Sequence, residues 1–291
     1  MNAPNTDSGP RTPPAASAAS AATYDPALAA SYWSGPRHDR GDELAAVLSL
    51  GEPSHVNEAY DAWETGVLLD ALPAVEAAWG LDLGAGVGRV ATRVAPRLRR
   101  LACGDFAPGM LARLRANVAR AGVSNVDALR LRADRLPIRD RALGLVVCLG
   151  LLEHLPPDAR RAALAESARA LRPGGFLALV LNNQESRFLG DPGDNPLRVG
   201  QQRENGYYCA VVGGRQILAE ASVNFTEEPL GSNLFYSLQR HAARLLPDES
   251  RFDARLTPFF AAASAWDRAI RPDGPLALAA ADHHLHLLVR R

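Results

Sequence analysis

Leu81-Asp82-Leu83-Gly84-Ala85-Gly86-Val87-Gly88-Arg89-Val90 is the stretch on which the fold turns. An apolar run reaches an acidic residue, meets three glycines at alternate positions and continues into a helix-like segment. The pattern predicts strand, tight turn and helix. Glycine belongs where the backbone turns sharply and approaches a ligand with no Cβ in the way. The start of the next helix offers unsatisfied N–H groups, which favour a carboxylate or other polar ligand. A dinucleotide-binding turn would read Gly-x-Gly-x-x-Gly and put its third glycine at position 89. Arg89 stands there instead. An arginine at that close-packing position argues against a pyrophosphate laid over the turn.

Outward from this motif, strands and helices alternate, which predicts a mostly parallel sheet covered on both faces. Strands are expected at 79–83, 101–105, 128–132, 143–149, 176–181, 223–230 and 283–289. Helices are expected at 89–98, 108–121, 158–171 and 213–221, the third stopped by Arg172-Pro173-Gly174-Gly175. Residues 24–78 read as an N-terminal cap. It holds a short helix through Leu44, Val47, Leu48 and Leu50, and a longer one over 56–72. Tyr60, Trp63, Val67 and Leu68 share one face of the longer helix, either packing it onto the sheet or walling a ligand. Tyr32 and Trp33 lie in a Gly/Pro-punctuated segment, 24–40, suited to a lid. Residues 1–22 have almost no large apolar group and read as a disordered tail. Residues 23–291 are expected to form one domain, with its core at 79–182 and insertions at 183–212 and 231–275.

Composition removes several function classes. Hydrophobic residues make up 47% of the 291 and charged residues 22%, enough for a sizeable core. Formal net charge is zero, so no global field draws the chain to nucleic acid or an anionic membrane. Every basic residue is arginine, which excludes a phosphate-binding P-loop lysine and any lysine Schiff base. Cys103, Cys148 and Cys209 are widely spaced and odd in number, so reduced thiols and a cytoplasmic location are expected. No signal-peptide pattern and no run of about 20 apolar residues is present. His283-His284-Leu285-His286 splits across the two faces of a strand and lacks completing ligands, so no metal is expected.

The motifs LDLGAGVGRV, CGDFAPGML, RADRLPI, LGLVVCLGLLEHL and LRPGGFLALVL occur in this order. Together they resemble the class I S-adenosylmethionine (SAM) methyltransferases of the small-metabolite kind, over roughly residues 56–182 and part of the last strands. The resemblance implies an α/β fold: a Rossmann-like, doubly wound, seven-stranded sheet, mostly parallel with the last strand antiparallel. It also implies SAM as cofactor. Asp82, Gly84, Ala85 and Gly86 would hold the methionyl part, beside Leu149 and Gly150. Asp105 would take the ribose, and Ala133, Asp134 and Arg135 the adenine, flanked by Phe106 and Met110. Tyr32 and Trp33 would close over the cofactor. Glu153 and His154, just after the fourth strand, are the candidate catalytic residues.

The expected acceptor is a small molecule. Oxygen or nitrogen is the default, with the thioether sulfur of an amino-acid-like metabolite as an option. Nucleic-acid methylation is disfavoured because Cys148-Leu149-Gly150-Leu151 stands where an Asn/Asp-Pro-Pro-aromatic motif would be. A membrane partner is not expected. Aminopropyl transfer lacks its acidic pocket, a nicotinamide dehydrogenase lacks its glycine spacing, and a non-catalytic SAM-binding subunit is the remaining alternative.

Overall fold

The computed structural model describes residues 24–35, 43–49, 51–73, 75, 78–186 and 200–291. The tail read over 1–22, the run Arg37-His38-Asp39-Arg40 and Leu50 lie outside the described residues, as does part of the 183–212 insertion. Seven strands form one Rossmann-like sheet: β1 (Trp79–Leu83), β2 (Arg100–Asp105), β3 (Val126–Arg130), β4 (Leu143–Cys148), β5 (Leu171–Asn182), β6 (Phe225–Ser232) and β7 (His283–Arg290). Their order is β3-β2-β1-β4-β5-β7-β6. Strands β1 to β5 pair in parallel, whereas β7 runs antiparallel to both β5 and β6.

Both faces are covered, as long apolar parallel strands require. On one face α2 (Ser54–Ala71), α3 (Ala91–Val94) and α4 (Pro108–Arg120) bury Trp63, Leu68, Val94 and Leu114 against Leu101, Leu145 and Val147. On the other, α5 (Pro157–Ala170) and α6 (Gly214–Ala221) bury Leu164, Ala168 and Ile217 against Leu81, Val146 and Leu179. Trp63 is wholly buried, which settles its part of the α2 stripe as core. A helical layer, α7 (Leu234–Ala243), α8 (Asp248–Arg251) and α9 (Thr257–Asp267), packs against α2, and α10 (Pro275–Ala280) precedes β7. Among the described residues no helix is long and apolar enough to cross a membrane.

Several local expectations are corrected. The helix expected over 89–98 is one α-turn, Ala91–Val94, continued as a 3₁₀ turn Ala95–Arg97, because Pro96 cannot donate to an α-helical ladder. Residues 43–47 form turns held by Leu44 O rather than a helix. Strand β3 begins and ends two residues earlier than expected. Strand β5 runs straight through Arg172-Pro173-Gly174-Gly175, absorbing them with a register shift against β4. The segment around Tyr32 and Trp33 is a helix, α1 (Pro26–Ser34). Asp25 caps it, its Oδ1 accepting from Ala27 N at 2.8 Å and Leu28 N at 3.3 Å, with Pro26 at the first helical position.

Helix α1 is fastened to the 200–210 segment. Asp25 N donates to Gln202 Oε1 at 2.6 Å, and Gln202 Nε2 donates to Asp25 O at 2.9 Å. Gly206 has φ +92°, and a Cβ there would overlap Leu28 O. Gly206→Ala therefore combines a strained backbone with a clash against α1. It is expected to undock α1, read as faster amide exchange over residues 26–34 with protection of β1 and β4 unchanged. Equal exchange over 26–34 in both proteins would refute this docking.

Candidate functional site

The carboxyl ends of β1, β2 and β4 meet at a cleft, where open parallel sheets bind ligands. The glycine turn forms its floor. Gly84, Gly86 and Gly88 have φ of +77°, +53° and +82°, a left-handed region that L side chains rarely adopt. A Cβ on Gly86 would come within 2.9 Å of Val47 Cγ1, so the cap closes directly over the turn. Asp82, Gly84, Ala85, Gly86, Asp105, Phe106, Met110, Ala133, Asp134, Leu149, Gly150, Trp33 and His154 all line this cleft.

Three sequence-predicted residues do not: Arg135, Tyr32, and Glu153, which lines the second cavity described below. Arg135 lies outside the cleft: its N–H donates to Arg132 O across a tight turn, and the turn presents Ala133 and Asp134 instead. Arg132 lines the cleft in its place and holds Asp134 through two bonds, 2.9 and 2.6 Å long. Tyr32 faces that second cavity, while its neighbour Trp33 lines the cleft.

The carboxylates of the cleft have distinct environments. Asp105 accepts from Gly86 N and Ala107 N, both at 2.9 Å, so it stiffens the glycine turn. Burial raises its pKa, and the backbone N–H groups of Ala107, Gly86 and Phe106 oppose that rise. Asp82 is buried and its Oδ2 has no hydrogen-bond partner. Burial pushes its pKa up to about 7; the Arg89 cation opposes the rise, and the Asp105 and Glu64 carboxylates add to it. A buried carboxyl oxygen left unpartnered beside a glycine cradle fits a ligand that brings a cation, such as the α-ammonium of SAM.

A larger cavity of about 690 Å³ adjoins the cleft. Val47, Arg89, Gly150 and His154 line both. Tyr32, Tyr60, Tyr207 and Tyr236 wall this chamber, and Glu64, Glu153, Asn182, Arg203, Arg240, His241, Arg244, Asp282 and His283 supply its polar groups. The volume suits a small organic molecule. Arg240 and Arg244 pair with Glu52, and Asp282 takes both Arg240 and His241. The 208–210 segment is stitched to the turn after β4: Ala210 N donates to Glu153 O at 2.7 Å, and His154 Nδ1 lies 2.8 Å from Tyr208 O. A carbonyl only accepts, so His154 donates to it from Nδ1. The ring lies between Trp33 and Tyr207, with centroids 5.0 and 5.7 Å away.

Tyr60, Tyr207, Arg203 and Arg132 join the site beyond the residues singled out as site residues. Tyr60 carried a signal in its helical spacing, but the others sit on irregular backbone with no periodicity to read. Elsewhere His286 Nδ1 pairs with Glu227 at 2.7 Å, and His284 is buried. No metal-holding group of three or more His, Cys, Asp or Glu occurs among the described residues.

The state of Asp82 generates a test. A carboxyl with a pKa near 7 is largely protonated at pH 6, and a ligand ammonium beside it favours the carboxylate. S-adenosylhomocysteine (SAH) carries the same ammonium as SAM. Its binding at pH 6 is expected to release a proton, and its affinity to rise from pH 5 to about pH 7. Calorimetry in buffers of different ionisation enthalpy measures that proton, and Asp82→Asn should abolish it. Proton release that persists in the variant would place the titrating group elsewhere.

Residues 81–175 match the methyltransferase domain family. An uncharacterized methyltransferase of Mycobacterium tuberculosis is 37% identical over 138 residues, 47% of this chain and 50% of the relative. Malonyl-(acyl-carrier protein) O-methyltransferase of Geobacter sulfurreducens is 38% identical over 109 residues, 37% of this chain and 39% of the relative. The chain thus spans about half the length, or less, of these curated relatives. Among solved structures, the YcgJ protein from Bacillus subtilis aligns with TM-score 0.54 at 17% identity, over 78% of this chain and 98% of that one. The N-methyltransferase NodS from Bradyrhizobium japonicum, in complex with SAH, aligns with TM-score 0.53 at 14% identity, over 90% and 98%. These two share the fold. The matched residues 81–175 contain the glycine turn, Asp105, Asp134 and the turn after β4, and this stretch is what the chain shares with the methyltransferase domain family.

Proposed function

We propose that this chain transfers a methyl group from SAM to a small-molecule acceptor whose reacting oxygen or nitrogen bears a proton. The continuity of the cleft with the aromatic chamber carries this reading, because Gly150 and His154 line both. Asp82 and the glycine turn would hold the amino-acid part of SAM, Asp105 the ribose, and Ala133 and Asp134 the adenine edge, between Phe106 and Met110. Bound there, SAM supplies an electrophilic methyl on a sulfonium sulfur.

The chain's own work is then positioning and proton handling. Holding the acceptor atom about 3–3.5 Å from its target converts a bimolecular encounter into a local one. Tyr60, Tyr207 and the turn after β4 set that position. Helix α1 and Val47 cover the junction and exclude water from it. His154, with Nδ1 held by Tyr208 O, is the imidazole that would take the acceptor's proton. Glu153 lines the chamber beside it.

A positioned base contributes typically ~10²–10⁴-fold. His154→Gln should lower kcat by that order with SAH affinity kept, and should remove an ionisation from the single-turnover pH profile. A thioether acceptor has no proton to lose. A flat wild-type pH profile, with near-wild-type kcat in both His154→Gln and Glu153→Gln, would overturn the proton-bearing acceptor and point to sulfur.

A further inference from the structure

The charges of the chamber divide into two sets. Arg89 is paired with Glu64 and with Asp61 at 2.9 Å. Arg240 and Arg244 pair with Glu52, and Asp282 is shared by Arg240 and His241. His283 lies 3.4 Å from Asn233 Nδ2. These groups hold one another and build the walls. Two charged side chains lining the chamber stand apart from that set. Among the described residues, half-buried Glu153 and exposed Arg203 have neither an ion pair nor a side-chain hydrogen bond. Among those residues the chamber therefore presents one uncommitted anion and one uncommitted cation.

Their places differ. A Cβ on Gly150 would lie 3.9 Å from Glu153 Oε1, so the carboxylate sits at the mouth shared with the cofactor cleft. Arg203 belongs to the turn closed by its own N–H on Tyr207 O and by Gly206 N on Arg203 O, under α1. The Tyr60 and Tyr207 rings that line the same space attract a cation through their faces. Tyr60 and Tyr236 keep neutral hydroxyls, since burial raises both pKa values.

We propose, building on the methyltransferase reading, that the acceptor is a small zwitterion: its amine is held by Glu153 and the tyrosine faces at the cofactor mouth, and its separate anionic group, a carboxylate or a phosphate-type oxyanion, is held by Arg203. The atom methylated is the nitrogen. It reaches the site as an ammonium, gives one proton to the His154 imidazole, and then forms the N–CH₃ bond with its lone pair. The S–CH₃ electron pair stays on sulfur, so SAH leaves neutral at sulfur and the amine leaves as a methylammonium.

Calorimetry on the full chain at saturating SAH tests this without turnover. The probes are a series of ω-amino carboxylates from glycine through δ-aminovalerate, the matching ω-aminoalkyl phosphonates, and the n-alkylamines and n-alkyl carboxylates of equal length. One bifunctional chain length is expected to bind at least ~10-fold more tightly than either single-function counterpart, as a second charge-assisted contact gives. The carboxylate and phosphonate arms distinguish the two anion sources. Arg203→Gln should reduce that ligand to the affinity of the alkylamine and leave the alkylamine itself unchanged. Glu153→Gln should do the converse, with SAH affinity intact in both variants. Equal affinity of the bifunctional ligands and the alkylamines, or no effect of Arg203→Gln, overturns the zwitterion. Binding of SAH with no amine of any length also overturns it while leaving the methyltransferase reading in place. Failure of the wild-type chain to bind SAH would sink that reading instead.

Discussion

Arg89 is the residue through which the two halves of the site are joined. It follows the glycine turn, and its guanidinium is bound by Asp61 and Glu64 of α2, all three side chains at most one-tenth exposed. Removing one partner of a buried ion pair leaves an uncompensated charge and costs about 3–5 kcal/mol. That penalty makes the α2 contact hard to give up, and α2 carries Tyr60 into the chamber and Trp63 into the core. The glycine turn is thereby fastened to α2 and, through Tyr60, to the chamber wall. Arg89 also lines both cavities, so the fastening stands at their junction.

The cleft at the ends of β1, β2 and β4 was legible because the residues that line it are local in sequence. Strand, glycine turn and helix follow one another within ten residues, and the acidic residues that end β2 and follow β3 are fixed by the sheet. Asp82, Asp105, Phe106, Met110, Ala133 and Asp134 accordingly reach one cleft. The errors there come from single residues at element ends. Pro96 shortens a helix that periodicity extended, and a tight turn exchanges Arg132 for Arg135. Helix α1 had its signals, an Asp-Pro start and a Ser-Gly stop, but its apolar face is short and its aromatics read as a lid.

The acceptor side was not legible, for a physical reason. Its lining comes from α1, α2, the turn after β4, the 203–211 segment, α7 and the start of β7, which no sequence pattern links. What brings them together is long-range pairing. Glu52 reaches Arg240 and Arg244, Asp25 reaches Gln202, and Glu153 O takes Ala210 N. Such contacts depend on complementary groups far apart in the chain, and no periodicity announces them. His283 shows the difference well: in sequence it belonged to a weak metal motif, and in the sheet it faces Tyr60 across the chamber.

The balance of charge in that chamber follows from the same construction. Buried arginines and carboxylates are tolerated where each satisfies another, and Asp282, fully buried, does so with Arg240, His241 and Ser186. A wall made this way has little net field of its own. Two charged groups outside that pairing, Glu153 and Arg203, lie on the turn after β4 and on the 200–210 segment. Both are irregular backbone held by a rigid scaffold. Tyr208 O and Glu153 O supply that support through His154 Nδ1 and Ala210 N. The 208–210 segment is thus attached to the turn after β4 by two backbone carbonyls.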